Sequence, residues 1–284
     1  MNYIDKITKK DLLEFMQILK YLKFDFDDSK FSLIVNDTIK YHSSNKNKRK
    51  DLRVLQELES RWYKSLNSDN IDYSVYDDIY YFADLWVCWK KYSREYLKAI
   101  ISDKSMATKS SHGYYNLKSI RQELNVNSIL DLGCGIGYTT IAIKEIFGCK
   151  VFATNIKESK QWDFCKYIFS NQNDIILFET VDNIDKVDMI FASEYFEHFE
   201  EPILHLINII KKVEPKYIIF ANTFTSKSIG HFNNYIHNGV SYSGKDISRL
   251  FSKTLKTYGF NKVITNCFNN RPNIYKYIEY LIEL

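Results

Sequence analysis

The chain has 284 residues, a formal net charge of +4 and 45% hydrophobic content, which is apolar material for one large domain or one and a half. So modest a charge permits an anionic partner without requiring one. Five cysteines lie far apart with no C-x-x-C pair, which argues against a zinc site or a disulfide frame and for reduced thiols. No apolar run approaches the roughly 18 residues of a membrane span, and Lys6, Lys9, Lys10 and Asp11 interrupt any secretory leader. The expectation is a cytoplasmic protein without a membrane partner.

In chain order, Leu12, Leu13, Phe15, Met16, Ile18, Leu19 and Leu22 recur at helical spacing. Residues 43–53 are polar and basic; Lys46, Lys48, Arg49 and Lys50 form either a solvated loop or a phosphate-binding patch. Leu52, Leu55, Leu58, Trp62 and Leu66 give a second helical stripe, and residues 67–74 punctuate the chain. Residues 80–101 read as an aromatic helix carrying Tyr80, Tyr81, Phe82, Trp86, Trp89, Tyr92 and Tyr96. Aromatic stripes at this spacing usually pack as core; the competing reading makes some of them a lid that stacks on a planar substrate.

The densest signal lies in the middle of the chain. Ser128-Ile129-Leu130-Asp131-Leu132 is a short apolar run of the kind a parallel strand buries, and Gly133-Cys134-Gly135-Ile136-Gly137 is a glycine-rich turn. Glycines allow backbone to approach a ligand closely, and the helix expected from Tyr138 onward presents free N–H groups at its start. The spacing is G-x-G-x-G, not the G-x-G-x-x-G that seats a pyrophosphate. Asp131 would repel such an anion but suits a ligand with an ammonium and a sulfonium.

This D-x-G-x-G-x-G segment resembles motif I of the class I S-adenosylmethionine-dependent methyltransferases, and the resemblance covers about residues 109–284. It implies an α/β fold: a seven-stranded Rossmann-like sheet of order 3-2-1-4-5-7-6, following a helical N-terminal region over residues 1–108. It implies S-adenosylmethionine as cofactor, held by Asp131, Gly133, Cys134, Gly135, Gly137, Asn155, Ile156, Asp182 and Glu194. Asn155, at the end of the expected second strand (150–156), stands where the family usually places an acid for the ribose hydroxyls; an amide can bond a diol without charge assistance. Asp182 or Asn183 falls where relatives contact adenine. Residues 187–193 form the expected fourth strand, and Glu194-Tyr195-Phe196-Glu197-His198 after it looks like the family's "EVLEH" segment. A fifth strand over 217–221, a last helix over 245–258 and a terminal antiparallel pair over 260–268 and 275–284 complete the expectation.

Methyl transfer from a sulfonium is an in-line displacement, so the protein's work is positioning, desolvation and removal of a proton from the acceptor. Glu194, Tyr195, His198 and His231 are the catalytic candidates, His198 with an unperturbed pKa near 6.5 or as a structural histidine. No metal is assigned. An alternative is that Glu194, Glu197 and His198, with His231 or His237, resemble the metal ligands of the small-RNA 3′-terminal 2′-O-methyltransferases, where a divalent ion activates a ribose hydroxyl. The polar stretch from Asn222 through Tyr235 sits where this fold binds acceptors, and Arg271 is either a partner for an anionic substrate or a surface charge. The D/N/S-P-P-Y/F segment of exocyclic-amine DNA methyltransferases is replaced by Ser193-Glu194-Tyr195-Phe196, and no cysteine follows a proline as in cytosine-C5 enzymes. The expected activity is methyl transfer to an oxygen or nitrogen of a small or medium polar acceptor. Nucleic acid is the alternative acceptor, and a non-catalytic binding module the remaining one.

Overall fold

The computed structural model describes residues 7–43, 53–68, 70–89, 126–263 and 273–278. The basic run at 46–50, Tyr92, Tyr96, the expected division at 108 and Arg271 lie outside the described residues. The chain divides into two units, one of residues 1–96, 135–139 and 156–172, the other of residues 97–134, 140–155 and 173–284.

The second unit is built on β1 (Ser128–Leu132), β2 (Lys150–Thr154), β3 (Ile175–Phe178), β4 (Met189–Ser193), β5 (Tyr217–Ala221), β8 (Phe260–Val263) and β9 (Asn273–Tyr277). Their order is β3-β2-β1-β4-β5-β9-β8. The first five are parallel, and β9 runs antiparallel to both β5 and β8. Numbered within the sheet, this is the 3-2-1-4-5-7-6 order with a reversed last strand.

Side chains alternate across each strand, which sorts the sheet residues into two faces. Leu130, Leu132, Ile190, Ala192, Ile218 and Phe220 share one core with α7 (Pro202–Val213) and α8 (Gly244–Thr257), through Ile203, Leu206 and Ile210 of the former and Ile247, Phe251 and Leu255 of the latter. Each of the buried leucine, isoleucine and phenylalanine side chains contributes about 1.5–3 kcal/mol. Asp131, one residue out of phase with Leu130, faces the other way and meets Thr140 of α5 (Tyr138–Phe147). Helices therefore cover both faces. At the opposite strand ends, the Asp188 carboxylate accepts from the Asn127 amide and the Lys216 ammonium, both at 2.9 Å, tying together the starts of β1, β4 and β5.

Two details add to the expectation. The last strand begins two residues before expectation, at Asn273, while residues 264–268 and 279–284 of the expected terminal pair lie outside the described residues. After the polar stretch that begins at Asn222, β6 (Tyr235–His237) and β7 (Val240–Tyr242) form a separate hairpin that the sequence reading did not include.

The first unit holds α1 (Lys9–Tyr21), α2 (Asp28–Ser43), α3 (Arg53–Ser65), a helix over residues 79–89 (α4) and α6 (Lys160–Phe169). Thr8 and Asp11 form a capping box at the start of α1. Phe15, Leu19, Phe31, Phe82, Trp86 and Phe164 share one buried cluster, with Phe15 stacked on Trp86 at 4.6 Å and both Phe15 and Phe82 edge-on to Phe164. Trp86 is thus core, as the packing reading expects, and Trp89 stacks on Tyr138 at 3.7 Å. Among the described residues no helix is long and apolar enough to cross a membrane.

Candidate active site

The carboxyl ends of β1, β2, β4 and β5 bring most of the expected residues into the second unit. Gly133 leaves β1 at φ +63°, a left-handed conformation that favours glycine. Its N–H donates to Thr154 Oγ1 at 3.2 Å, and the Cys134 N–H donates to the Thr154 carbonyl at 2.9 Å. Threonine at the end of β2 thereby clasps the turn after β1. Asn155 is buried beyond it, its N–H bonded to the Phe178 carbonyl. Asp182 lies in the 3-10 turn Val181–Asn183, exposed, with its carboxylate accepting from Thr180 Oγ1 at 2.9 Å.

Asp131 is buried and accepts from Thr140 Oγ1 at 2.6 Å. Burial pushes its carboxyl up to about 7, and the threonine bond only partly opposes this. A desolvated acid with one hydrogen bond is half neutral at physiological pH until a cation reaches it.

The other three glycine-turn and loop residues belong to the first unit. A Cβ on Gly135 would have one neighbour within 4 Å, Gln161 Oε1 at 3.9 Å, so that face of the backbone is open. A Cβ on Gly137 would instead stand 2.7 Å from Phe169 and 2.8 Å from Ile168, so this glycine serves helix packing. Ile156 is exposed.

After β4 the chain makes a strained exit. Glu194 is non-glycine at φ +50°, a conformation that costs of order 1–3 kcal/mol and persists where surroundings enforce it. Its N–H donates to the Ala221 carbonyl, the Tyr195 N–H donates to Asn222 Oδ1 at 3.0 Å, and the Thr223 N–H donates to Glu197 Oε1 at 2.7 Å. These bonds join the exit of β4 to that of β5. The Tyr195 hydroxyl lies 2.8 Å from His205 Nε2, and Phe199 stacks on the His205 ring at 4.0 Å. Burial lowers His205 to about 4 and raises Tyr195. The imidazole is therefore neutral, and the tyrosine is the donor.

Three of the candidates converge. One ligand atom each from Glu194, Glu197 and His231 lies within 4.8 Å of the others. Glu197 is buried, its Oε2 has no hydrogen-bond partner, and burial followed by the Glu194 charge pushes its carboxyl up to about 8. His231 Nδ1 is 2.8 Å from the Ser226 carbonyl and donates to it; in the neutral imidazole Nε2 then carries the lone pair, 3.9 Å from Glu194 Oε2. His198 stands edge-on to His231 with ring centres 5.0 Å apart. Burial and then His231 lower it to about 3, while backbone bonds to Gly230 and Glu194 pull the other way. Such an imidazole stays neutral and is bonded to the backbone of both loops. His237 is not in the cluster; it lies on β6.

Sequence reasoning missed Thr140, Thr154 and His205. Their only sequence signals are polar side chains in apolar elements, with no spacing that pairs them to the motif.

No family model matches the chain, and no curated protein matches it. Among solved structures, it is similar to the Methanococcus jannaschii fibrillarin pre-rRNA processing protein, 18% identical, with 53% of this chain and 65% of that one covered at a TM-score of 0.38. This match spans a little under two thirds of the fibrillarin protein. A bacterial CtHen1 methyltransferase domain is 14% identical, covering 56% and 95% at a TM-score of 0.41. The ribosomal protein L11 methylase of Lactobacillus delbrueckii subsp. bulgaricus is 18% identical, covering 55% and 71% at 0.36. These scores add nothing to the strand order, which with the glycine-rich exit of β1 defines a class I methyltransferase fold.

Proposed function

We propose that the chain is an S-adenosylmethionine-dependent methyltransferase acting on an oxygen or nitrogen atom of a polar acceptor. The supporting observation is the exit of β1, where a buried, half-neutral Asp131 precedes a positive-φ Gly133 clasped by Thr154. Switch-point crevices of this kind, at the carboxyl ends of parallel strands, are where open α/β sheets bind ligands. The desolvated carboxyl of Asp131 fits a cationic ligand. Asp131, Gly133, Cys134, Asn155 and Asp182 would hold it, and when bound it supplies an activated methyl group. What remains for the side chains is to orient the acceptor, exclude water and take its proton.

A second reading concerns how the acceptor is activated. The partnerless Glu197 Oε2, beside Glu194 and the lone pair of His231, is a donor set suited to a divalent cation. Such an ion lowers the pKa of a bound hydroxyl, which favours an oxygen acceptor. His198 then positions the Glu194 and His231 loops and is too weak a base to take a proton itself.

The test is calorimetry with S-adenosylhomocysteine. Micromolar binding by the wild type and at least tenfold weaker binding by Asp131→Ala support the cofactor assignment. Tight NAD binding in its place would move the chain to the oxidoreductases.

A further inference from the structure

Helix α8 carries a feature that the site above does not use. Lys245, Arg249, Lys253 and Lys256 are all exposed and fall at i, i+4, i+8 and i+11. At 100° per residue they occupy an arc of about 80°, one cation per turn over about 16 Å. Arg249 meets Asp246 at 3.4 Å; Lys245, Lys253 and Lys256 form no ion pair with a described residue. The helix is pinned from behind, because Ile247, Phe251 and Leu255 are buried in the sheet core.

Alongside the stripe runs an open groove of about 220 Å³ between α7 and α8. Ile203, Ile207 and Leu250 give it apolar walls, Tyr258 and His237 add planar side chains, and Lys253 belongs to both groove and stripe. No carboxylate lines it. Its His237 lies on the hairpin that succeeds the His231 loop.

We propose that this face docks single-stranded nucleic acid, with phosphates along the α8 cations and bases against the groove. Cations tracking a backbone beside apolar and planar side chains are the elements of sequence-tolerant single-strand binding. A lipid surface fits less well: the apolar side of α8 is committed to the core, which leaves no amphipathic face to insert. An acidic peptide would satisfy the cations but has no use for the groove. At about 3.4 Å per nucleotide, the stripe covers about five stacked nucleotides. The proposal deepens the methyltransferase reading, on which it rests only in making the docked strand the source of the acceptor.

The experiment is fluorescence anisotropy of the full chain with labelled 12-nucleotide single-stranded RNA and DNA, titrated against salt. Four phosphate contacts give a log–log salt slope of about −2.8, and Lys253→Ala/Lys256→Ala should reduce its magnitude by about 1.4 and weaken binding roughly tenfold at low salt. Lys9→Ala/Lys10→Ala removes the same charge from exposed positions on α1 and should leave binding nearly unchanged. Equal loss in both double variants, absence of oligonucleotide binding, or preferential binding to phosphatidylserine vesicles or polyglutamate would overturn the proposal. S-adenosylhomocysteine calorimetry on the same variants separates the two claims. Cofactor binding without oligonucleotide binding sinks only the docking surface; the converse sinks only the methyltransferase reading.

Discussion

The ring of Tyr195 occupies the space a side chain would need at Gly133. A Cβ there would stand 2.4 Å from Tyr195 Cδ2, well inside contact distance. The first glycine of the turn is thus fitted to a residue 62 positions later, and the turn after β1 rests on the exit of β4.

Gly133→Ala should lower stability by about 2–4 kcal/mol, from the positive φ and the overlap together. Chemical denaturation of the single and double variants tests this. In a Tyr195→Ala background the overlap disappears and only the backbone strain remains, so the cost of the glycine change should fall by at least 1 kcal/mol. Strict additivity would mean that the contact carries no energy.

Asp131 should leave a signature in the pH dependence of folding. Its folded carboxyl titrates near 7 and its unfolded one near 3.8, so the folded state binds more protons between those values. The linkage sign is then a contribution that is greatest at low pH and is lost as pH rises from about 4 to 7. Asp131→Asn should flatten that part of the profile relative to wild type. On the proposed cofactor assignment, a bound cation ionises the same carboxyl, so calorimetry below pH 7 in buffers of different ionisation enthalpy should register proton release in the wild type and none in the variant.

The Tyr195–His205 pair predicts the opposite slope. His205 titrates near 4 when folded and 6.5 when exposed, so its contribution is present above pH 6.5 and lost as pH falls towards 4. Tyr195→Phe removes the donor and leaves Nε2 without this bond, at a cost of about 1–3 kcal/mol. A melting temperature unchanged at pH 7.5 would show that the bond is not formed in solution.

Glu197→Gln separates folding from cation binding. The amide can keep the bond from the Thr223 N–H and removes a buried carboxylate, so stability without metal should hold or rise. Wild-type protein should gain thermal stability in millimolar Mn²⁺, by about 2.7 kcal/mol at a hundredfold excess over Kd. The variant should lose that gain. An equal shift in both proteins would place the ion elsewhere.

The sheet was legible because its signals are local: Ile129 to Leu132 and Met189 to Ala192 are apolar runs with turn residues at their ends, and the glycine spacing marks the turn at the end of β1. The protonation of Asp131 was not legible. An acid before a glycine turn reads as a charge, and only the burial of Asp131 against Thr140 makes it half neutral. His198 likewise reads as a base of ordinary strength, and becomes a weak one through burial beside His231. His205 carried no signal, because its partner Tyr195 lies outside α7 in the turn after β4, at a separation that matches no helical spacing. By sequence His198 and either His231 or His237 join the two glutamates as ligands; among the described residues only His231 stands with them, and His237 lies on β6.

The first unit has a consequence for how the chain is made. Phe15 and Trp86 stack on each other and share one buried cluster with Phe164, which meets Phe15 edge-on and is encoded 78 positions after Trp86. At about 5–20 residues per second, synthesis separates them by roughly 4 to 16 s. During that interval the early helices have emerged with their central aromatic cluster lacking its keystone, and apolar rings are exposed to other nascent chains. A chaperone that holds this segment until Phe164 arrives should raise the yield of soluble protein more than one acting on the finished chain.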